Sequence, residues 1–132
     1  MDQRAALLID FAERFKSVPD PVARRPFHPS HRVPFCESEA YVWAIPREDG
    51  TLTFHFAVEN PSGVSARALA AILGKSVSGA PLDQVAAITP EIIPRIFRQN
   101  ISMGKGMGLG GMVQMVRDLA SARLRSREAP PG

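Results

Sequence analysis

Apolar residues at Leu7, Leu8, Phe11, Ala12 and Phe15 recur at three- and four-residue intervals, the spacing of a helix with one buried face. Asp2 stands where it can cap that helix, and Pro19 and Pro21 close it. The next run, "VPDPVARRPFHPSHRVPF", carries Pro19, Pro21, Pro26, Pro29 and Pro34. Proline lacks a backbone donor and keeps the residue before it out of helical angles, so the run reads as an extended surface arm. Beyond it, "AYVWAIP" is β-branched and aromatic. "TLTFHFAVE" alternates, with Leu52, Phe54 and Phe56 on one face and Thr51, Thr53 and His55 on the other. The Asp-Gly of "REDG" between them predicts a hairpin over about 41–58.

"NPSG" breaks the chain, and "VSARALAAILGKSV" then predicts a helix through Val64, Ala68, Leu69, Ile72 and Leu73, stopped near Gly74. "SGAPLDQVAAI" and "TPEIIPRIF" read as short helices, with Pro81 and Pro90 at tolerated first-turn positions. A last helix is expected from about Gly108 to Arg125, with Leu109, Met112, Val113, Val116, Leu119 and Ala120 on its apolar stripe. No internal repeat is present. The order of elements predicts an α+β domain over 1–125, a small antiparallel sheet packed against several helices, followed by a disordered tail over 126–132.

Composition narrows the class. The chain has 132 residues, of which 45% are hydrophobic and 22% charged, enough to bury a core without a metal or a disulfide. It contains one cysteine, Cys36, so no internal disulfide can form, and a lone thiol fits a reducing, cytoplasmic setting. The start is charged and lacks the apolar core of a signal peptide, and no run reaches the ~20 apolar residues of a membrane span. The net charge is +3, with small basic clusters at Arg24–Arg25 and Arg123–Arg127. That distribution is a solvated basic face, not the concentrated patch a nucleic acid requires.

Four features carry candidate chemistry. Gly106-x-Gly108-x-x-Gly111 matches a dinucleotide fingerprint in letters, but a helix-like segment precedes it and no second strand fits after it. Lys105 is not followed by Ser or Thr, as a phosphate loop demands, so the stretch reads as a flexible loop turning into the last helix. His28, His31 and Cys36, with His55 further on, offer metal-ligand types but only one thiol, in a spacing stiffened by Pro29 and Pro34. A small metal-binding module is therefore the alternative reading, beside a purely structural interaction domain. Glu37 and Glu39 form a carboxylate pair two residues apart, which is more often solvated charge than acid–base machinery. Cys36 itself sits where the arm enters the sheet, a position that predicts partial exposure. A buried cysteine acting as a small hydrophobe is the competing expectation.

At these residues the chain resembles a known family. "FCESEAYVW" is similar to the Cys-x-Ser…Val-Trp motif of SufE-type proteins, the sulfur acceptors of cysteine desulfurases in iron–sulfur cluster assembly. The order of helix, proline-rich arm, cysteine loop, hairpin and "SARALAAIL" helix follows the family, as does the "ISMGKGMGLGGMVQMV" ending. Three departures from it stand out. Phe35 replaces the usual glycine before the cysteine, two extra residues separate Cys36 from Val42-Trp43, and Lys105 and Met103 align with the family's arginine and proline. Lysine keeps the charge of arginine but not its planar fork.

The resemblance implies an accessory sulfur-transfer protein, not a stand-alone enzyme. It implies that Cys36 accepts sulfane sulfur as a persulfide and that Lys105 contacts the thiolate or the partner. It further implies a SufS-type cysteine desulfurase as partner and an iron–sulfur scaffold downstream. Pyridoxal phosphate would belong to the desulfurase, and this chain would carry no cofactor or metal of its own. A monomer or weak homodimer is expected, with no nucleic-acid or membrane partner.

Overall fold

The structure, a computed structural model, describes residues 3–34, 36–98 and 103–128, with the backbone alone for 103–107 and 128. Its elements run α1 (Gln3–Arg14), a 3₁₀ turn (Pro29–His31), β1 (Ala40–Pro46), β2 (Leu52–Val58), α2 (Val64–Val77), α3 (Leu82–Val85), α4 (Ile92–Phe97) and α5 (Met103–Glu128). The fold is α+β, as the patterning predicts.

The two strands pair antiparallel, Ala40 opposite Val58 and Pro46 opposite Leu52. Side chains alternate across a strand, so the sheet has two apolar faces to cover. Ala40, Val42, Leu52, Phe54 and Phe56 belong to the main core, where α2 packs on β2 and α5 packs on β1. Tyr41, Trp43 and Ala57 point the other way and are met by Val18, Val22, Ala23 and Phe27. The proline-rich arm thus forms the second layer of a sheet too small to be covered by helices on both sides. Its backbone is tied down where Val18 N–H donates to the Phe56 carbonyl at 2.8 Å. The arm is a covering layer and not only a surface tether, and Pro29–His31 within it makes a 3₁₀ turn.

Other expectations shift at the ends of elements. Helix α1 ends at Arg14, ahead of Pro19, and buries Leu8 and Ala12 while Leu7 stays exposed. Asp2, the expected cap, lies outside the described residues. Helix α2 runs past Gly74 to Val77, and Val64 at its start is exposed, the burial falling on Ala66, Ala68, Leu69, Ala70, Leu73 and Val77.

The largest correction concerns the glycines. Helix α5 already begins at Met103, so Gly104, Gly106, Gly108, Gly110 and Gly111 are helical instead of forming a loop. Each interior glycine costs about 1 kcal/mol relative to alanine. Two of them lie under other segments: a methyl group on Gly111 would meet Val33 Cγ1 at 3.0 Å and the Pro34 carbonyl at 3.3 Å, and one on Gly110 would meet Pro90 at 3.4 Å. Close approach of the arm explains Gly111, where tertiary packing overrides helix propensity. At the far end α5 continues to Glu128, taking in residues 126–128, and 129–132 lie outside the described residues.

Candidate functional site

Cys36 lies in a loop closed at its base by the arm and β1. Arg32 bridges to Tyr41, and Val33 N–H donates to the Ala40 carbonyl at 2.8 Å. Between them the chain turns back, with Glu39 N–H donating to the Cys36 carbonyl at 3.1 Å. To close this turn Glu39 adopts φ +52°, a left-handed conformation in which a side chain with a Cβ costs roughly 1–2 kcal/mol. Cys36 retains 5% of its accessible surface and joins the main core. Partial exposure, expected from its polar neighbours, is therefore corrected: the loop turns the thiol inward while Pro34, Glu37 and Glu39 face solvent.

The loop is fastened to the segment that follows β2. Glu59 N–H donates to the Glu39 carbonyl at 3.1 Å, and Asn60 N–H to the Ser38 carbonyl at 3.1 Å. Asn60 Nδ2 donates to the Glu37 carbonyl at 3.0 Å. Gly63 is crowded by the end of β2 and by the loop: a methyl group there would lie 2.8 Å from Val58 Cγ1 and 3.2 Å from Ser38 Cβ. Asn60, Gly63 and Arg67 are residues that sequence reasoning missed, because "NPSG" reads only as a chain break. An Asn whose side chain can close an Asx turn two residues on was the available signal.

The remaining candidates separate. Glu37 and Glu39 have exposed side chains, and no described cation pairs with either. Lys105 falls in the first turn of α5, but its side chain lies outside the described residues, so its relation to Cys36 is not defined. His28 caps the 3₁₀ turn, its Nδ1 accepting from Ser30 N–H at 3.1 Å. His31 places Nδ1 3.0 Å from the Val42 carbonyl and stacks on Trp43, ring centroids 5.3 Å apart. His55 is partly buried on β2, and that burial pushes its pKa below the ordinary 6.5. Among the described residues no three His, Cys, Asp or Glu side chains group as metal ligands, so the metal-module alternative loses its site. A groove of about 590 Å³ between α1, β2 and α2 is lined by residues that do not include Cys36.

The arrangement is that of a small α+β domain with its one thiol buried in a loop that is fastened to the segment after β2. Comparison gives that class its family. The SufE model, described as an Fe-S metabolism associated domain, matches residues 1–120, and the chain belongs to that family. Its role accordingly lies in Fe–S metabolism. No curated protein matches the chain in sequence. Seven chains of solved structures match it in fold. One, the solution structure of a hypothetical protein from Thermus thermophilus, is 18% identical and superposes with a TM-score of 0.74 over 95% of this chain and 88% of its own. At that identity the likeness speaks for the fold alone. No helix among the described residues is long and apolar enough to cross a membrane.

Proposed function

We propose that this protein accepts sulfane sulfur from a SufS-type cysteine desulfurase onto Cys36, stimulates that enzyme, and passes the sulfur toward iron–sulfur cluster assembly. The observation that carries this reading is the placement of the chain's one cysteine in a fastened loop, in a member of a family devoted to Fe–S metabolism. The thiol is buried while Glu37 and Glu39 beside it face solvent, an arrangement that mere core filling does not call for.

In the transfer, the Cys36 thiolate attacks the outer sulfur of a persulfide on the desulfurase cysteine. A new S–S bond forms to Cys36 Sγ as the donor S–S bond breaks. The bonding pair leaves with the donor sulfur, which takes up the proton given up by Cys36. No external oxidant or reductant is consumed. Pyridoxal phosphate acts in the desulfurase, in releasing sulfur from L-cysteine, and this chain contributes none of that chemistry. Attack needs access, and Cys36 is buried, so the loop has to swing outward before transfer. Burial between transfers also shields the thiol from the oxidation to which exposed thiolates are prone.

Alanine formation from L-cysteine by the desulfurase tests the proposal. Adding this protein raises the rate, and Cys36→Ser abolishes the increase. An equal increase with the variant would refute the acceptor role.

A further inference from the structure

We infer that Asn60 is the latch that sets how often Cys36 is exposed, making it a positioning residue for sulfur transfer. The inference deepens the function proposed above and rests on it.

Four groups of one residue converge here. The side-chain amide Nδ2 donates to the Glu37 carbonyl at 3.0 Å, and the backbone N–H donates to the Ser38 carbonyl at 3.1 Å, so two consecutive loop residues hang on Asn60. Its Oδ1 accepts from Ser62 N–H at 3.0 Å and from Ser62 Oγ–H at 2.8 Å, which fixes the amide's orientation. Its carbonyl accepts from Gly63 N–H at 3.0 Å and from Arg67 Nη1 at 3.1 Å, while Arg67 Nη2 donates to the Pro61 carbonyl at 3.0 Å. Arg67 belongs to the first turn and a half of α2, so the latch is anchored on a long, well-packed helix.

The neighbouring Glu59 adds a second anchor. Its carboxylate takes a two-pronged contact from Arg25 Nε at 2.8 and 2.9 Å, and its N–H holds Glu39. Loop, arm and α2 therefore meet at Glu59–Asn60. Opening the loop breaks these hydrogen bonds and exposes Cys36, while it relieves the left-handed Glu39, so each bond that Asn60 makes lowers the population of the open state. Because a partner binds only the open state, its apparent affinity scales with that population.

Asn60→Asp isolates the latch. The carboxylate keeps the acceptor for Ser62 but has no N–H for Glu37. The test is the rate at which a maleimide labels Cys36 in the native protein, followed as a function of urea, with Asn60→Asp, Asn60→Ala and Arg67→Met beside the wild type. Labelling of Asn60→Asp is expected to rise about fivefold or more, the factor equivalent to one net hydrogen bond of ~1 kcal/mol, and to stay nearly flat in urea well below the unfolding midpoint. With the desulfurase, the apparent KM for the carrier falls while kcat is unchanged. Labelling that is no faster, or that rises only in step with global unfolding, would overturn the latch even if sulfur transfer proceeds. Faster labelling without any sulfur transfer would leave the latch standing and sink the transfer reading.

Discussion

At the scale of the residue, the site depends on what two positions lack or tolerate. Glu39 tolerates a left-handed backbone, and Gly63 lacks a side chain where the cysteine loop crosses it. Gly63→Ala places a methyl group 3.1 Å from the Asn60 carbonyl as well as against Val58 and Ser38. Overpacking of this kind costs about 1–3 kcal/mol. A urea unfolding series is therefore expected to show Gly63→Ala destabilised by that amount, with Cys36 more accessible to thiol reagents. An unchanged midpoint would mean that the segment shifts freely. Cys36 was legible as a candidate because it is the only thiol and stands in a recognisable motif. Its burial was only the competing expectation, since the polar letters around it describe the outer side of a turn whose inner side only the fold defines.

Among the elements, helix α5 shows how local preference and packing diverge. The glycines at 104, 106, 108, 110 and 111 argue against a helix by propensity, and the loop expectation followed from that. Helix formation across them is supported by contacts sequence cannot display, the arm lying on Gly111 and Pro90 beside Gly110. The two positions should respond with opposite signs. Gly110→Ala meets only ordinary contact and is expected to stabilise by about 0.5–1 kcal/mol through helix propensity. Gly111→Ala meets the buried Val33 and a backbone carbonyl, so its propensity gain is overtaken and a net loss of about 1 kcal/mol is expected. Matched urea midpoints would contradict this assignment of roles. The hairpin, by contrast, was legible throughout, because period-two alternation and an Asp-Gly turn are both local signals. The arm's prolines told correctly against a strand or a long helix. They could not tell that Val18 and Phe27 would cover Trp43, which is a matter of long-range contact.

For the whole molecule, family membership joins these parts to a role in Fe–S metabolism, and its stability should carry one mark of the sheet's second face. His55 is held below its ordinary pKa of 6.5 by burial, so as pH falls through about 6.5 the unfolded chain takes up the proton before the folded one. Stability is then full above that pH and declines as it falls toward the lowered folded-state value. A denaturant series between pH 8 and 5 should show a small loss that His55→Gln flattens; parallel curves would contradict the assignment. What the sequence could not convey at this scale is the junction at Glu59–Asn60, because arm, cysteine loop and α2 are brought together only by folding. The most direct measurement is the intact mass, under non-reducing conditions, of the protein incubated with L-cysteine and an active SufS-type desulfurase, beside its Cys36→Ser variant. Sulfur acceptance by Cys36 predicts a gain of one or more sulfur atoms, reversed by dithiothreitol and absent from the variant. No gain while the desulfurase turns over would contradict it.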